Sequence, residues 1–115
     1  MLSKLPKTEL LHQSIDIQQL KLLGQRMTVS PLKIIYLPTN QHQIGVHVPK
    51  RLLKLAVHRN RIKRQIKAIY QQYRYQFPEE KPIKMWIMYQ KPLLCHHTDI
   101  QTAFTQIMQH INKQA

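Results

Sequence analysis

Acidic residues are what this sequence most lacks. Five of its 115 residues are Asp or Glu, against eighteen Lys and Arg, and the formal net charge is +13. All five acids (Glu9, Asp16, Glu79, Glu80 and Asp99) fall outside residues 17–78. The middle of the chain therefore has no carboxylate to act as a general base or to hold a hard cation such as Mg²⁺. Two glycines, Gly24 and Gly45, are too few for a loop that cradles phosphate. The single cysteine, Cys95, cannot close an internal disulfide, which fits a reducing compartment. No apolar run approaches the roughly 20 residues of a transmembrane helix. The start, Met1-Leu2-Ser3-Lys4-Leu5-Pro6, lacks the apolar region of a signal peptide. The expectation is a cytoplasmic protein with no membrane partner, no small-molecule substrate and no catalytic residue of its own.

Present instead is a concentrated positive charge. Residues 59–64 (Arg-Asn-Arg-Ile-Lys-Arg) hold four of the eighteen cations. Continued to Tyr75, the stretch reads as a two-faced helix, with Ile62, Ile66, Ile69, Tyr70 and Tyr73 recurring at helical spacing. Arg59, Lys63, Lys67 and Arg74 lie on a separate arc roughly 120° away, at about 100° per residue, and Asn60 and Arg64 border it. A face needed only for solubility mixes signs, because Glu–Lys pairs four residues apart add stability. An acid-free face instead predicts a phosphate backbone as partner, attracted by the field and held through counterion release.

Two smaller constellations bear on function. Aromatic side chains beside a basic groove can stack on unpaired bases. Tyr70 and Tyr73 share the apolar stripe and read as core, whereas Tyr36 and Trp86 sit on expected strands, where stacking and core roles both stand open. Cys95-His96-His97 lacks the spaced second pair of ligands that a zinc site needs, and it reads as polar loop. No metal site is expected.

In chain order, residues 1–13 read as an irregular basic arm. Asp16 is a candidate N-cap with Gln19 three residues on, and Ile15 and Leu20 form a flanking staple. Gly24 then ends this short helix in a left-handed conformation. Strands follow at 32–37, between Pro31 and Pro38, and at 43–48, stopped by Pro49. A basic connector leads into the central helix, which Phe77-Pro78 and Pro82 break. A third strand covers 83–89. Thr98 and Gln101 form a capping box for a last helix, whose stripe is Ile100, Ala103, Phe104, Ile107, Met108 and Ile111. The expectation is one domain over residues 1–115, an α+β fold (an α/β sandwich) of αββαβα order on a small mixed sheet.

Lys50-Arg51, Lys54, Ala56-Val57 and Arg59-Asn60-Arg61-Ile62-Lys63-Arg64 together resemble the signature of the bacterial ribonuclease P protein family, Arg-Asn-Arg followed by x-Lys-Arg on the second helix. Leu5-Pro6-Lys7, Asp16-Ile17-Gln18-Gln19-Leu20, Pro31-Leu32-Lys33 and Ile44-Gly45-Val46 match as well. The resemblance implies a left-handed βαβ crossover, against the usual hand. It implies a small basic subunit that joins a catalytic RNA, whose holoenzyme removes the 5′ leader of precursor tRNA. It also implies that the RNA and its Mg²⁺ ions would perform the hydrolysis and that the protein alone would be inactive. By position, Lys50, Arg51, Lys54, Arg59, Asn60, Arg61, Lys63, Arg64 and Lys67 would contact the catalytic RNA. Ile17, Lys21 and Tyr36 would face the single-stranded leader, in a cleft between the first helix and the sheet. The chain departs from the family at Ile17 and Lys21, where Phe is usual, and at Ala68, where an acid is common; weaker stacking on the leader follows. The alternatives are another basic RNA-binding module, ribosomal-protein-like and without a role in tRNA cleavage, and a free-standing ribonuclease, which the missing acids disfavour.

Overall fold

The structure, a computed structural model, describes residues 14–39, 41–76 and 82–114. The arm expected over residues 1–13 and the helix break expected at 77–81 lie outside the described residues. The elements are α1 (Ser14–Leu23), β1 (Gln25–Val29), β2 (Leu32–Pro38), β3 (Gln43–His47), α2 (Ala56–Gln76), β4 (Ile83–Tyr89) and α3 (His97–Gln114).

Residues 83–89 alternate without a break. Ile83, Met85, Ile87 and Tyr89 are buried, while Lys84, Trp86 and Met88 are half-buried. That pattern suits a central strand with one dry and one wetter face. β4 indeed lies inside a four-stranded mixed sheet of order β1-β2-β4-β3. It pairs antiparallel with β2 and parallel with β3, so β3–α2–β4 is a crossover unit. The expected strands are present, and β1 adds a fourth, which makes the order αβββαβα. β1 has no apolar run to announce it, since only Met27 and Val29 are half-buried. Its structure comes from antiparallel pairing along β2, with Gln25 opposite Tyr36 and Val29 opposite Leu32.

The two sheet faces are covered unequally. α2 and α3 pack on one, where Ile62, Ile66, Ile69 and Tyr70 meet Phe104, Ile107 and Ile111 over Ile34, Met85 and Ile87. Burying those stripes removes the apolar area that drives the packing. α1 lies on the other face, and its Leu20 is fully buried against Ile35. Leu37, Trp86 and Met88 surround that contact and remain partly open. Among the described residues no helix is long and apolar enough to cross a membrane.

Three capping expectations are corrected. α1 already runs from Ser14, which makes Asp16 an interior residue and not its cap. At α3 the His96 carbonyl accepts the N–H groups of Asp99 (3.0 Å) and Ile100 (3.3 Å), so the helix begins one residue before Thr98. Asp99 then sits in the first turn, where the helix dipole favours an acid. Gly24 does not adopt positive φ. Its requirement is space: a Cβ there would lie 2.5 Å from the Leu20 carbonyl oxygen, 2.7 Å from Ile35 Cγ2 and 3.0 Å from the Tyr36 carbonyl oxygen. Two of those three obstacles are backbone and cannot rotate away. Gly24→Ala is expected to cost about 1–3 kcal/mol, the usual range for overpacking, seen as an earlier midpoint in urea. An unchanged midpoint would mean α1 lifts from β2 without penalty.

Candidate nucleic-acid interface

The buried stripe of α2 sets which of its residues face outward. With Ile62, Ile66, Ile69 and Tyr70 in the core, Asn60, Arg61 and Arg64 are exposed, and Arg59, Lys63 and Lys67 are half-buried along the flank. The preceding connector is equally defined. Val48 and Leu53 are buried, and the Pro49 carbonyl accepts the N–H groups of Leu52 (3.1 Å) and Leu53 (3.2 Å). Lys50 and Arg51 are exposed on this turn, and Lys54 is exposed beyond it. Arg59 closes the unit: its Nη1 donates to the carbonyls of Leu53 (2.9 Å) and Lys54 (2.8 Å). All nine residues expected to meet the catalytic RNA thus belong to one connector–helix unit, fastened to the core by apolar anchors and by Arg59 itself.

The three residues expected at the leader do not lie together. Ile17 is half-buried and Lys21 is exposed on α1. The Lys21 carbonyl accepts a 2.7 Å hydrogen bond from Arg26 Nη2, a cation at the carbonyl end of the helix. Tyr36 requires a correction. It shares the parity of Leu32 and Ile34, belongs to the α2–α3 core and is 5 % exposed. Its hydroxyl donates to Gln25 Oε1 at 2.9 Å. Successive strand residues point to opposite faces, so it is the neighbour Ile35 that faces α1.

The residues that do gather on the α1 face include two whose place there the sequence leaves open. His47, exposed at the end of β3, lies parallel to Trp86 of β4, with ring centroids 6.0 Å apart and planes at 14°. That separation is within the range of an offset aromatic stack. Burial, and then the charges of Lys63, Lys21 and Arg51, hold the His47 pKa below its ordinary 6.5. The same side chain therefore senses cations from α1, the connector and α2, and it links the two expected RNA surfaces. The available signal is the parity of Lys33 and Lys84, which mark the wetter face and share it with Trp86.

Because the folded-state pKa is depressed, His47 favours folding above pH 6.5, and this contribution is lost as pH falls below that value. An NMR titration of His47 is expected to show a midpoint under 6.5 that rises in Lys63→Gln. A midpoint unmoved by that substitution would remove Lys63 from the cluster.

Among the described residues no three His, Cys, Asp or Glu side chains gather as metal ligands. The Cys95 loop is instead tied to β4. The Tyr89 hydroxyl donates to the Leu93 carbonyl (2.5 Å) and accepts the Cys95 N–H (3.0 Å). The chemistry this surface offers is fixed cations, one amide and a stacked ring pair, a set suited to holding a charged polymer.

Comparison with known proteins agrees. The family model described as Ribonuclease P matches residues 5–112. No curated protein sequence matches significantly. The ribonuclease P protein of Staphylococcus aureus superposes with a TM-score of 0.78 at 17% identity, covering 91% of this chain and 96% of that one. A second structure of the S. aureus protein gives 0.70 at 21% identity, with 95% and 92% covered. The Thermotoga maritima protein gives 0.73 at 15% identity, with 89% and 96% covered. With its family match running nearly end to end and its four-stranded mixed sheet and three helices shared with those structures, the chain belongs to the ribonuclease P protein family.

Proposed function

We propose that this chain is an RNA-binding protein subunit of ribonuclease P, a single cytoplasmic domain that binds the catalytic RNA and assists removal of the 5′ leader from precursor tRNA. The observation that carries the reading is the acid-free connector–helix unit, where Arg51, Lys54, Arg61 and Arg64 are exposed on one rigid support. Such a surface supplies affinity for phosphates without chemistry of its own. Lys50, Lys63, Lys67, Asn60 and Arg59 complete it, Arg59 mainly by holding the connector.

Mg²⁺ does not fit this surface. A hard cation takes oxygen ligands, chiefly carboxylates, and residues 17–78 contain none. The reaction's Mg²⁺ is assigned to the phosphates of the RNA, and the chain's part is to screen and position those phosphates. Ile17 and Lys21 offer the leader an apolar contact and a cation from α1.

Competition binding tests the reading. The chain is expected to prefer its cognate ribonuclease P RNA over an unrelated structured RNA of equal length at 0.15 M salt, a concentration at which the Debye length is about 8 Å. Equal affinity for both would leave a general basic RNA binder.

A further inference from the structure

The interface described above ends at Lys67, but α2 continues to Gln76. Val57, Arg61, Arg64, Ala68, Gln72 and Tyr75 are all exposed. At about 100° per residue they form one stripe along the helix, on the side away from Ile62, Ile66, Ile69 and Tyr70. No acid lies anywhere on α2, so the stripe is open to a polyanion over its whole length. It ends on Tyr75, which is 76 % exposed and keeps its ring in water. The other described rings of this kind are already engaged. Tyr36, Tyr70, Tyr89 and Phe104 are buried. Tyr73 packs edge-on against Phe104, and its hydroxyl accepts a hydrogen bond from Asn112 Nδ2. Tyr75 is thus the one exposed tyrosine or phenylalanine among the described residues. A ring in solvent contributes nothing to the core, whereas on a basic helix it can stack on the face of a base. At 1.5 Å per residue, Tyr75 stands roughly 16 Å beyond Arg64 along the helix axis.

We propose that Tyr75 is an aromatic anchor for the catalytic RNA, stacking on an unpaired base while Arg61 and Arg64 hold phosphates roughly 16–21 Å away along α2. The assignment rests on the ribonuclease P reading and extends its contact surface to the far end of the helix. Ala68 and Gln72, between the cations and the ring, are neutral, so the RNA backbone passes them without repulsion. An unpaired base is required because a base inside a duplex is covered on both faces by its neighbours. The two ends of the stripe then do different things. The cations bind any phosphate backbone, while the ring favours an RNA that offers an unstacked base at the matching distance.

Filter binding of the full-length protein to its cognate ribonuclease P RNA, over a salt series, tests the anchor. Tyr75→Ala is expected to weaken binding by about 5- to 100-fold, the range for losing one base–aromatic stack. The slope of log affinity against log salt should stay the same, because no phosphate contact is lost. Tyr75→Phe, which keeps the ring, is expected to bind as the wild type does. Both variants should unfold at the wild-type temperature, because Tyr75 is exposed. Undiminished binding by Tyr75→Ala overturns the anchor. So does an equal loss in Tyr75→Phe, which assigns the effect to the hydroxyl, or a shallower slope in Tyr75→Ala, which assigns it to displaced cations. Precursor tRNA alone should bind Tyr75→Ala and the wild type equally. A loss there as large as on the catalytic RNA puts the ring on the substrate and overturns the assignment. The ribonuclease P reading fails separately, if the wild type binds cognate and unrelated structured RNA equally. A loss in Tyr75→Ala on both RNAs would then keep the ring as an RNA contact and discard the reading.

Discussion

Arg61→Ala combined with Arg64→Ala is expected to weaken binding to the catalytic RNA by about 10- to 100-fold, at roughly a tenfold loss per charged hydrogen bond. The slope of log affinity against log salt should become shallower by about 1.4–1.8, which is about 0.7–0.9 for each phosphate no longer neutralised. These two residues isolate the interface. Both are exposed, they lie three positions apart on one side of α2, and the buried stripe at Ile62 and Ile66 is untouched. Folding stability should change little, as for most surface substitutions. Arg59 is a poorer probe, because its guanidinium holds the carbonyls of Leu53 and Lys54. Removing it loosens the connector that presents Lys50 and Arg51 as well as removing a charge. Filter binding over a salt series decides the matter. An unchanged slope would place Arg61 and Arg64 in solvent in the complex.

The second large effect is expected at a residue far from any cation. Phe104→Ala should destabilise the fold by about 3–5 kcal/mol, the usual cost of truncating a buried aromatic side chain. Phe104 is 1 % exposed and meets two rings of α2 edge-on, Tyr70 at 6.5 Å and 87° and Tyr73 at 5.7 Å and 78°. Each such pair contributes about 0.5–1.5 kcal/mol beyond area burial. Asn112 Nδ2 also donates to the Tyr73 hydroxyl at 2.6 Å, so α3 grips α2 at two levels along its length. Domains of this size are commonly stable by about 5–15 kcal/mol, so the loss is a large fraction of the whole. Urea unfolding followed by circular dichroism should show a lower midpoint with a similar slope. RNA binding should weaken in parallel, since the basic face depends on α2 being seated. A loss below about 1 kcal/mol would mean the core closes over the gap.

What could be read from the sequence follows from period and charge. The two faces of α2 and the stripe of α3 are legible because apolar residues recur at 3.6-residue spacing over several turns, and the core uses the expected residues. β2 is legible from β-branched and aromatic residues between two prolines, and β3 from alternation that a proline stops. β1 is not, since a short edge strand of mixed polarity owes its structure to its partner and not to its own pattern. The expected helix starts fall too late because several nearby side chains can cap, and the tertiary fit selects among them. The candidate site divides in the same way. The basic face proposed to bind RNA is written into α2 by the absence of acids. The α1 face depends on strand parity, and one residue decides it: Tyr36 enters the core and Ile35 faces α1. The His47–Trp86 pair depends on the register of two strands separated by the whole of α2, which no local pattern records.

The central claim, that this chain serves a catalytic RNA and does not itself cut, is tested most directly by precursor-tRNA cleavage at low Mg²⁺. Three reactions are compared: the protein alone, its cognate ribonuclease P RNA alone, and the two together. Cleavage at the mature 5′ end is expected in the mixture, with little from the RNA alone and none from the protein alone. Cleavage by the protein alone would contradict the claim and move the chemistry onto this chain.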